Sequence, residues 1–372
     1  MLALAWPERV ALRRASSSYL MANGRGAALA PGDPLAAQPC LAVAALDLGG
    51  AGNADARIHL AAPLGMEDIE RLFADRIVWE NAVVWDTERQ AVSARVLRRL
   101  DALVLAEAPL ADPPLDTIRA VLLDALQKLG TAVLPWTPEL TAWRQRVRFA
   151  RGLVLLERRA RGDSSCVRAA ESAGQGGNTW PERATPDDAH WPDLSDAALE
   201  ATLPDWLGPY LEGIDRIGRI SPALLGDALR GLLSWNLARR LDDLAPEELT
   251  VPSGSRIRLA YGDAADEMER MAADPGAACG ELPGPVLAVK LQELFGLETT
   301  PAVGGGRVPV VVHLLSPAGR PVQITRDLGG FWKNSYAAVR ADLRGRYPKH
   351  PWPDDPLSAR PTRHTKKRTQ GG

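Results

Sequence analysis

Leu103-Val104-Leu105-Ala106-Glu107-Ala108-Pro109, followed shortly by Leu115-Asp116-Thr117-Ile118-Arg119-Ala120-Val121-Leu122-Leu123-Asp124-Ala125-Leu126-Gln127-Lys128-Leu129-Gly130, marks where the apolar period of this chain changes. Before it, from residue 18 to 110, short apolar or alternating runs recur at Cys40–Leu46, Arg57–Ala61, Ile77–Trp85, Ala91–Leu97 and Leu103–Ala106. Turn chemistry separates them at Asn23-Gly24, Gly49-Gly50 and Asp86–Gln90. One helix, Met66–Ala74, interrupts the strands and places Ile69, Leu72 and Phe73 together. Many short strands with one inserted helix predict a small closed or half-closed barrel.

After the change the spacing is helical. Ile118, Leu122 and Leu126 recur every fourth residue, and Gly130 is the stop. Thr137-Pro138 supplies an N-cap and a first-turn proline for a second helix, with Leu140, Trp143, Val147, Ala150 and Val154 as its inward stripe. Ser221-Pro222 repeats that start signal ahead of Leu225, Leu229, Leu232 and Leu233, and Pro246 bounds the helix. The stretch 160–188 has no period and reads as a loop-like insertion. Strands return at Ser255–Tyr261, Val286–Val289, Val308–Leu315 and Pro321–Thr325, with helices at Lys290–Phe295 and Leu328–Leu343 and a second insertion at Asp263–Leu282. The fold class is therefore α+β, read as segments 1–18, 19–112, 113–249, 250–345 and an extended tail 346–372.

With 44 Lys and Arg against 46 Asp and Glu, the net charge is −2, so any polyanion site has to be a local patch. The end of the chain supplies one. From residue 340 onward nine cations (Arg340, Arg344, Arg346, Lys349, Arg360, Arg363, Lys366, Lys367, Arg368) face three Asp (Asp342, Asp354, Asp355). Three well-separated cysteines, Cys40, Cys166 and Cys279, support neither a disulfide framework nor a zinc knuckle, and fit a reducing cytoplasm. No apolar run reaches the roughly 18 residues that a membrane helix needs.

Catalytic signatures are missing from the sequence. The run Gly304-Gly305-Gly306-Arg307 has no Lys-Ser/Thr after it and precedes a strand, so it reads as a turn and not as a phosphate loop. Five scattered histidines predict no metal site, and no residue is assigned a catalytic role. What is present is a cation and ring series: Lys333, Arg344, Arg346, Tyr347, Lys349, His350 and Trp352, stiffened by Pro348, Pro351, Pro353 and Pro356, then Arg363, Lys366, Lys367 and Arg368. Such a strip can follow phosphates while its rings stack on bases. Equally, Tyr347 and Trp352 can pin a C-terminal arm to the domain, or the strip can dock a protein partner. Secondary candidates are the arginine row Arg144, Arg148 and Arg151, and the turn around Ser253, Ser255 and Arg256, whose backbone and hydroxyls could surround a phosphate.

In order along the chain, Leu2–Ala11, Tyr19–Ala27, Arg57–Leu64, Leu72–Ile77, Thr250–Arg256, Leu287–Gly296, Leu314–Gln323 and Phe331–Asn334 onward to Arg368 resemble the C-terminal region of HrpB-type bacterial DExH-box ATP-dependent RNA helicases. The resemblance implies an OB-like barrel after the end of a helical accessory region, and a further C-terminal domain. It also implies single-stranded RNA as partner, helicase motor domains in trans, and ATP and magnesium handled only by those motor domains, whose phosphate loop and DExH box are expected upstream of Met1.

Overall fold

The computed structural model describes residues 1–47, 55–160, 190–274 and 281–364. Nearly all of the insertion at 160–188, the Gly49-Gly50 turn and the cations Lys366, Lys367 and Arg368 lie outside the described residues. The chain divides into two compact units, Met1–Lys128 with Leu211–Arg219, and Leu129–Tyr210 with Ile220–Gly372.

The first unit opens with a single turn, α1 (Leu2–Ala5), and then the strands β1 (Val10–Ala15), β2 (Ser18–Met21), β3 (Gly26–Ala28), β4 (Cys40–Asp47) and β5 (Ala56–Pro63). They close a barrel in the order β1-β2-β3-β5-β4. The β3–β5 pair is parallel and all others are antiparallel. Alternation along the strands sorts residues into two cores. Ala11, Tyr19, Met21, Ala27, Leu41, Val43 and Ile58 fill one. Val10, Ala22, Cys40 and Ala42 point the opposite way, onto Ile69 and Phe73 of the helix segment that follows. That both faces are buried explains why Cys40–Val43 reads as a continuous apolar run. The segment 1–18, expected as a helix end, therefore contains a barrel strand, because Val10 and Ala11 bury on opposite sides.

Helix α2 (Met66–Leu72) leads into β6 (Ile77–Asp86), β7 (Ala91–Leu100) and β8 (Leu103–Pro109), a separate three-stranded antiparallel sheet rather than more of the barrel. The β6–β7 turn is capped by Asp86, whose carboxylate accepts from the amides of Glu88 and Arg89. The returning segment 211–219 hydrogen-bonds to this hairpin, Val92 N donating to Asp215 O at 2.7 Å and Ile217 N to Gln90 O at 3.2 Å. Helix α3 (Leu115–Leu129) follows.

The second unit is built on α4 (Pro138–Ala160), a 23-residue helix that buries Leu140, Val147, Phe149, Ala150, Leu153 and Val154. Short α5 (Asp196–Ala201) and α6 (Leu203–Trp206) come next. The helix expected from Ser221 to Pro246 is two helices, α7 (Pro222–Arg230) and α8 (Trp235–Leu244), because Gly231 ends the first and Ser234 caps the second by accepting from Leu237 N. A five-stranded sheet carries β9 (Glu248–Thr250), β10 (Arg256–Ala260), β11 (Val286–Lys290), β14 (Val311–Leu315) and β15 (Pro321–Thr325), while β12 (Ala302–Val303) and β13 (Val308–Pro309) make a hairpin. In the second insertion, residues 263–273 belong to α9 (Gly262–Ala273), whose Ala264, Ala265, Met268 and Met271 are buried. Glycine at 152 permits this packing, since a Cβ there would lie 2.7 Å from Met268 Cγ. Leu291–Leu294 is a 3-10 turn and not an α-helix, and the terminal helix is again two, α10 (Leu328–Asn334) and α11 (Tyr336–Arg346).

Candidate nucleic-acid interface

The strip beyond α11 is stitched to its domain and is not a free tail as far as Thr362. Phe295, Phe331, Trp332 and Tyr336 form an aromatic cluster with ring centroids 5.0–6.4 Å apart. From it, the Tyr336 hydroxyl donates to Pro353 O at 2.9 Å, and Arg340 Nε donates to Trp352 O at 3.1 Å. Burial pushes the Tyr336 phenol up to about 12, so it stays a donor at any ordinary pH. Gln292 holds the strip at both ends, giving its amide to Pro351 O and accepting on its backbone carbonyl from Thr362 N.

This seam corrects the reading of Trp352 as a stacking platform. Its ring is 7% exposed and its Nε1 donates to Tyr347 O at 2.9 Å. The ring is an anchor, which removes it equally from base stacking and from docking a partner. Tyr347 is half-buried, and His350 is half-buried against the Gln292 amide oxygen at 3.2 Å. Burial, reinforced by the Lys290 charge, pulls the His350 pKa below its ordinary value, so the ring is neutral near pH 7.

The cations are displayed where the rings are not. Lys333, Arg344, Lys349, Arg360 and Arg363 are exposed, and among the described residues none has a carboxylate within salt-bridge distance. Arg346 shares Asp342 at 3.1 Å on the helix surface, and Arg340 pairs with Asp354. Ala337, Ala341 and Gly345 repeat every fourth residue on α11 beside Arg340 and Arg344, and with Pro348 these line an open groove of about 630 Å3. The small side chains leave open space beside the Arg344 guanidinium.

The secondary candidates are employed differently. Arg144 donates to Leu194 O and Asp196, Arg148 grips Glu269 at 3.0 and 2.5 Å and Asp266 at 2.9 Å, and Arg151 reaches Asp193 at 2.8 Å. These guanidiniums are mostly buried and committed to carboxylates. The Ser253 turn is likewise filled from within: Ser253 Oγ donates to the buried Glu293 carboxylate at 2.9 Å, and Arg256 pairs with Glu248. A phosphate would have to displace a like charge there. The Gly304–Gly306 run, with φ of 66°, 68° and 83°, turns between β12 and β13. No helix N-terminus follows it, so it does not fit a nucleotide triphosphate.

Residues 206–356 match the family model for the ATP-dependent helicase C-terminal domain of HrpB, a span that contains the stitched strip through Pro356. Over 99% of its length the chain is 35% identical to the ATP-dependent RNA helicase HrpB of Escherichia coli K12. This chain matches the C-terminal region of HrpB-type helicases. It spans 39% of that HrpB relative. The crystal structure of the E. coli DExH-box NTPase HrpB superposes with a TM-score of 0.51 at 34% identity, covering 98% of this chain and 39% of that one. A second crystal structure, of the E. coli DEAH/RHA helicase HrpB, covers 94% of the chain at 30% identity with a TM-score of 0.44.

Two features escaped the sequence reading. Arg146 is buried, with Nε donating to Ala245 O at 2.6 Å and its other end on Asp242, tying α4 to the C-terminus of α8. Trp235 is exposed and carries Arg239 over its ring at 4.9 Å. A signal for the second existed: Leu237, Leu241 and Leu244 define the inward stripe of α8, and Trp235 stands two residues off it, about 200° around the helix.

Proposed function

We propose that this chain is the nucleic-acid-holding part of an ATP-dependent RNA helicase of the HrpB type, gripping single-stranded RNA electrostatically while a motor outside these residues turns over ATP. The observation that carries the reading is the set of exposed cations Lys333, Arg344, Lys349, Arg360 and Arg363, without a carboxylate in salt-bridge distance among the described residues, on the terminal helices and the anchored strip, set against the α4 arginines that carboxylates hold. A cation without a protein counter-charge is free to release a counterion from a phosphate. The masking of Trp352 argues for backbone contact rather than base reading along the strip.

The barrel supports a second point of contact. Its closed order β1-β2-β3-β5-β4 with a parallel β3–β5 pair is that of an OB-like barrel, a frequent platform for single strands. Lys366, Lys367 and Arg368 would extend the cationic strip. No helix among the described residues is long and apolar enough to cross a membrane.

The test is the binding of a labelled single-stranded RNA to the purified chain across a salt series, with ATP hydrolysis followed in parallel. The expected result is salt-sensitive binding, with log K falling against log salt by roughly 3 or more, at about 0.7 per neutralised phosphate, and no ATP turnover. Binding that ignores salt, or turnover surviving removal of every contaminating ATPase, would contradict the proposal.

A further inference from the structure

We infer that Trp235, Arg239 and Tyr210 form a stacking site for unpaired nucleobases, distinct from the cationic strip. Trp235 is 70% exposed and Tyr210 39% exposed. An indole left this open on a helix forgoes burial that the fold could have given it, as it gives Trp191, Trp206, Trp332 and Trp352. The helix holds it firmly in place: Ser234 caps α8 at its start, and Leu237, Leu241 and Leu244 bury the opposite face.

Arg239 lies one turn on, its guanidinium carbon 4.9 Å from the ring centroid. One face of the indole is thereby covered by a cation and the other is open to a planar guest. The guanidinium has no carboxylate within salt-bridge distance among the described residues, and the neighbouring Asp242 is taken by Arg146. Asp243, one turn further along the helix, is exposed. The Tyr210 hydroxyl sits over Gly231, four residues before Trp235, where a Cβ would come within 2.8 Å of it. Two rings thus flank the α7–α8 junction, with Arg230 beside it in only a loose 3.5 Å contact with Asp227.

A protein partner would call for a contiguous apolar core around such rings, depleted of charge. The chain around Trp235 supplies Ser234, Asn236, Arg239 and Arg240 instead. Open π faces among cations are the chemistry of single-strand binding, in which the bases stack and the phosphates meet guanidiniums. This inference rests on the RNA-holding function proposed above, and adds base contact to a strip that offers only charge.

The experiment compares W235A, W235F, R239A and the strip variant R344Q/K349Q/R360Q/R363Q in the full chain, using a 12-nucleotide labelled RNA and the corresponding blunt duplex. For W235A the single strand should bind about fivefold or more weakly, the lower end of what one base stack contributes, at an unchanged salt slope. W235F should recover most of that loss, R239A should lower the slope by about 0.7, and duplex affinity should not respond to W235A. Wild-type affinity in W235A, alongside a weakened strip variant, would overturn the stacking site alone. A weakened W235A beside an unaltered strip variant would uphold the site and overturn the strip. Absence of any single-strand binding by the wild-type chain would overturn both.

Discussion

Helix α4 and the strip after α11 carry the same side chains to opposite ends. On α4, Arg144, Arg146, Arg148 and Arg151 each meet a carboxylate, and their side chains are only 8–22% exposed. At the end of α11 and along the strip, Arg344, Lys349, Arg360 and Arg363 meet none among the described residues and stand in solvent, while the Trp352 ring among them is buried. A cation that is desolvated must be paired to be tolerated, so the α4 guanidiniums are part of the packing. An exposed, unpaired cation adds little to stability and remains available to an anion from outside. The lesson is that a basic residue reports on function through its counter-charge and not through its own identity.

The contrast can be broken or sharpened by substitution. The largest effect is expected for Trp352→Ala. Deleting the ring that anchors the strip should cost about 3–5 kcal/mol in denaturant unfolding, and should open the amides of 347–362 to hydrogen exchange. A loss below about 1 kcal/mol would favour the stacking role over the anchoring one.

Next is Arg148→Ala, which strands Asp266 and the largely buried Glu269. The expected loss is about 3 kcal/mol, with RNA affinity unchanged at temperatures where the chain is folded. Weaker RNA binding without lost stability would place α4 in the interface after all.

The smallest expected effect is the pH response of His350. Its pKa is lowered from 6.5 by burial first and by Lys290 second, while the ring touches Gln292 and lies near Tyr347. The folded state therefore holds fewer protons than the unfolded one below about pH 6.5. The stability of the strip should be full above that value and should decline as pH falls from it toward the depressed folded pKa. Melting curves between about pH 8 and pH 5 should show this slope, and His350→Gln should flatten it.

How much of this was legible from the residues follows from the range of the interactions. The starts of β4, β6, β7 and β8 are legible because apolar runs and the turns between them are local signals, while β7 and β8 run three residues beyond the reading, and Asn23-Gly24 announces the β2–β3 turn, where Gly24 has a φ of 83°. Strand β1 was missed since its buried run is only Val10 and Ala11, too short to stand out, whereas Cys40–Val43 is twice as long. The α7–α8 break was written in Gly231 and Ser234 but was overridden by the leucine spacing across them. Partners of the α4 arginines could not be read at all: Asp196, Asp242 and Glu269 lie 52, 96 and 121 residues further along the chain. The same holds for Glu293, which fills the Ser253 turn from 40 residues away. Only the fold brings those charges together, so the sequence showed where cations are without showing which are spent.

The most direct test of that division is the salt dependence of single-stranded RNA binding by R344Q/K349Q/R360Q/R363Q, measured with its unfolding curve and set beside Arg148→Ala. The account predicts that the fourfold variant lowers the slope of log K against log salt by about 3, at roughly 0.7 per cation, and leaves stability within about 0.5 kcal/mol. An unaltered slope in that variant would contradict it.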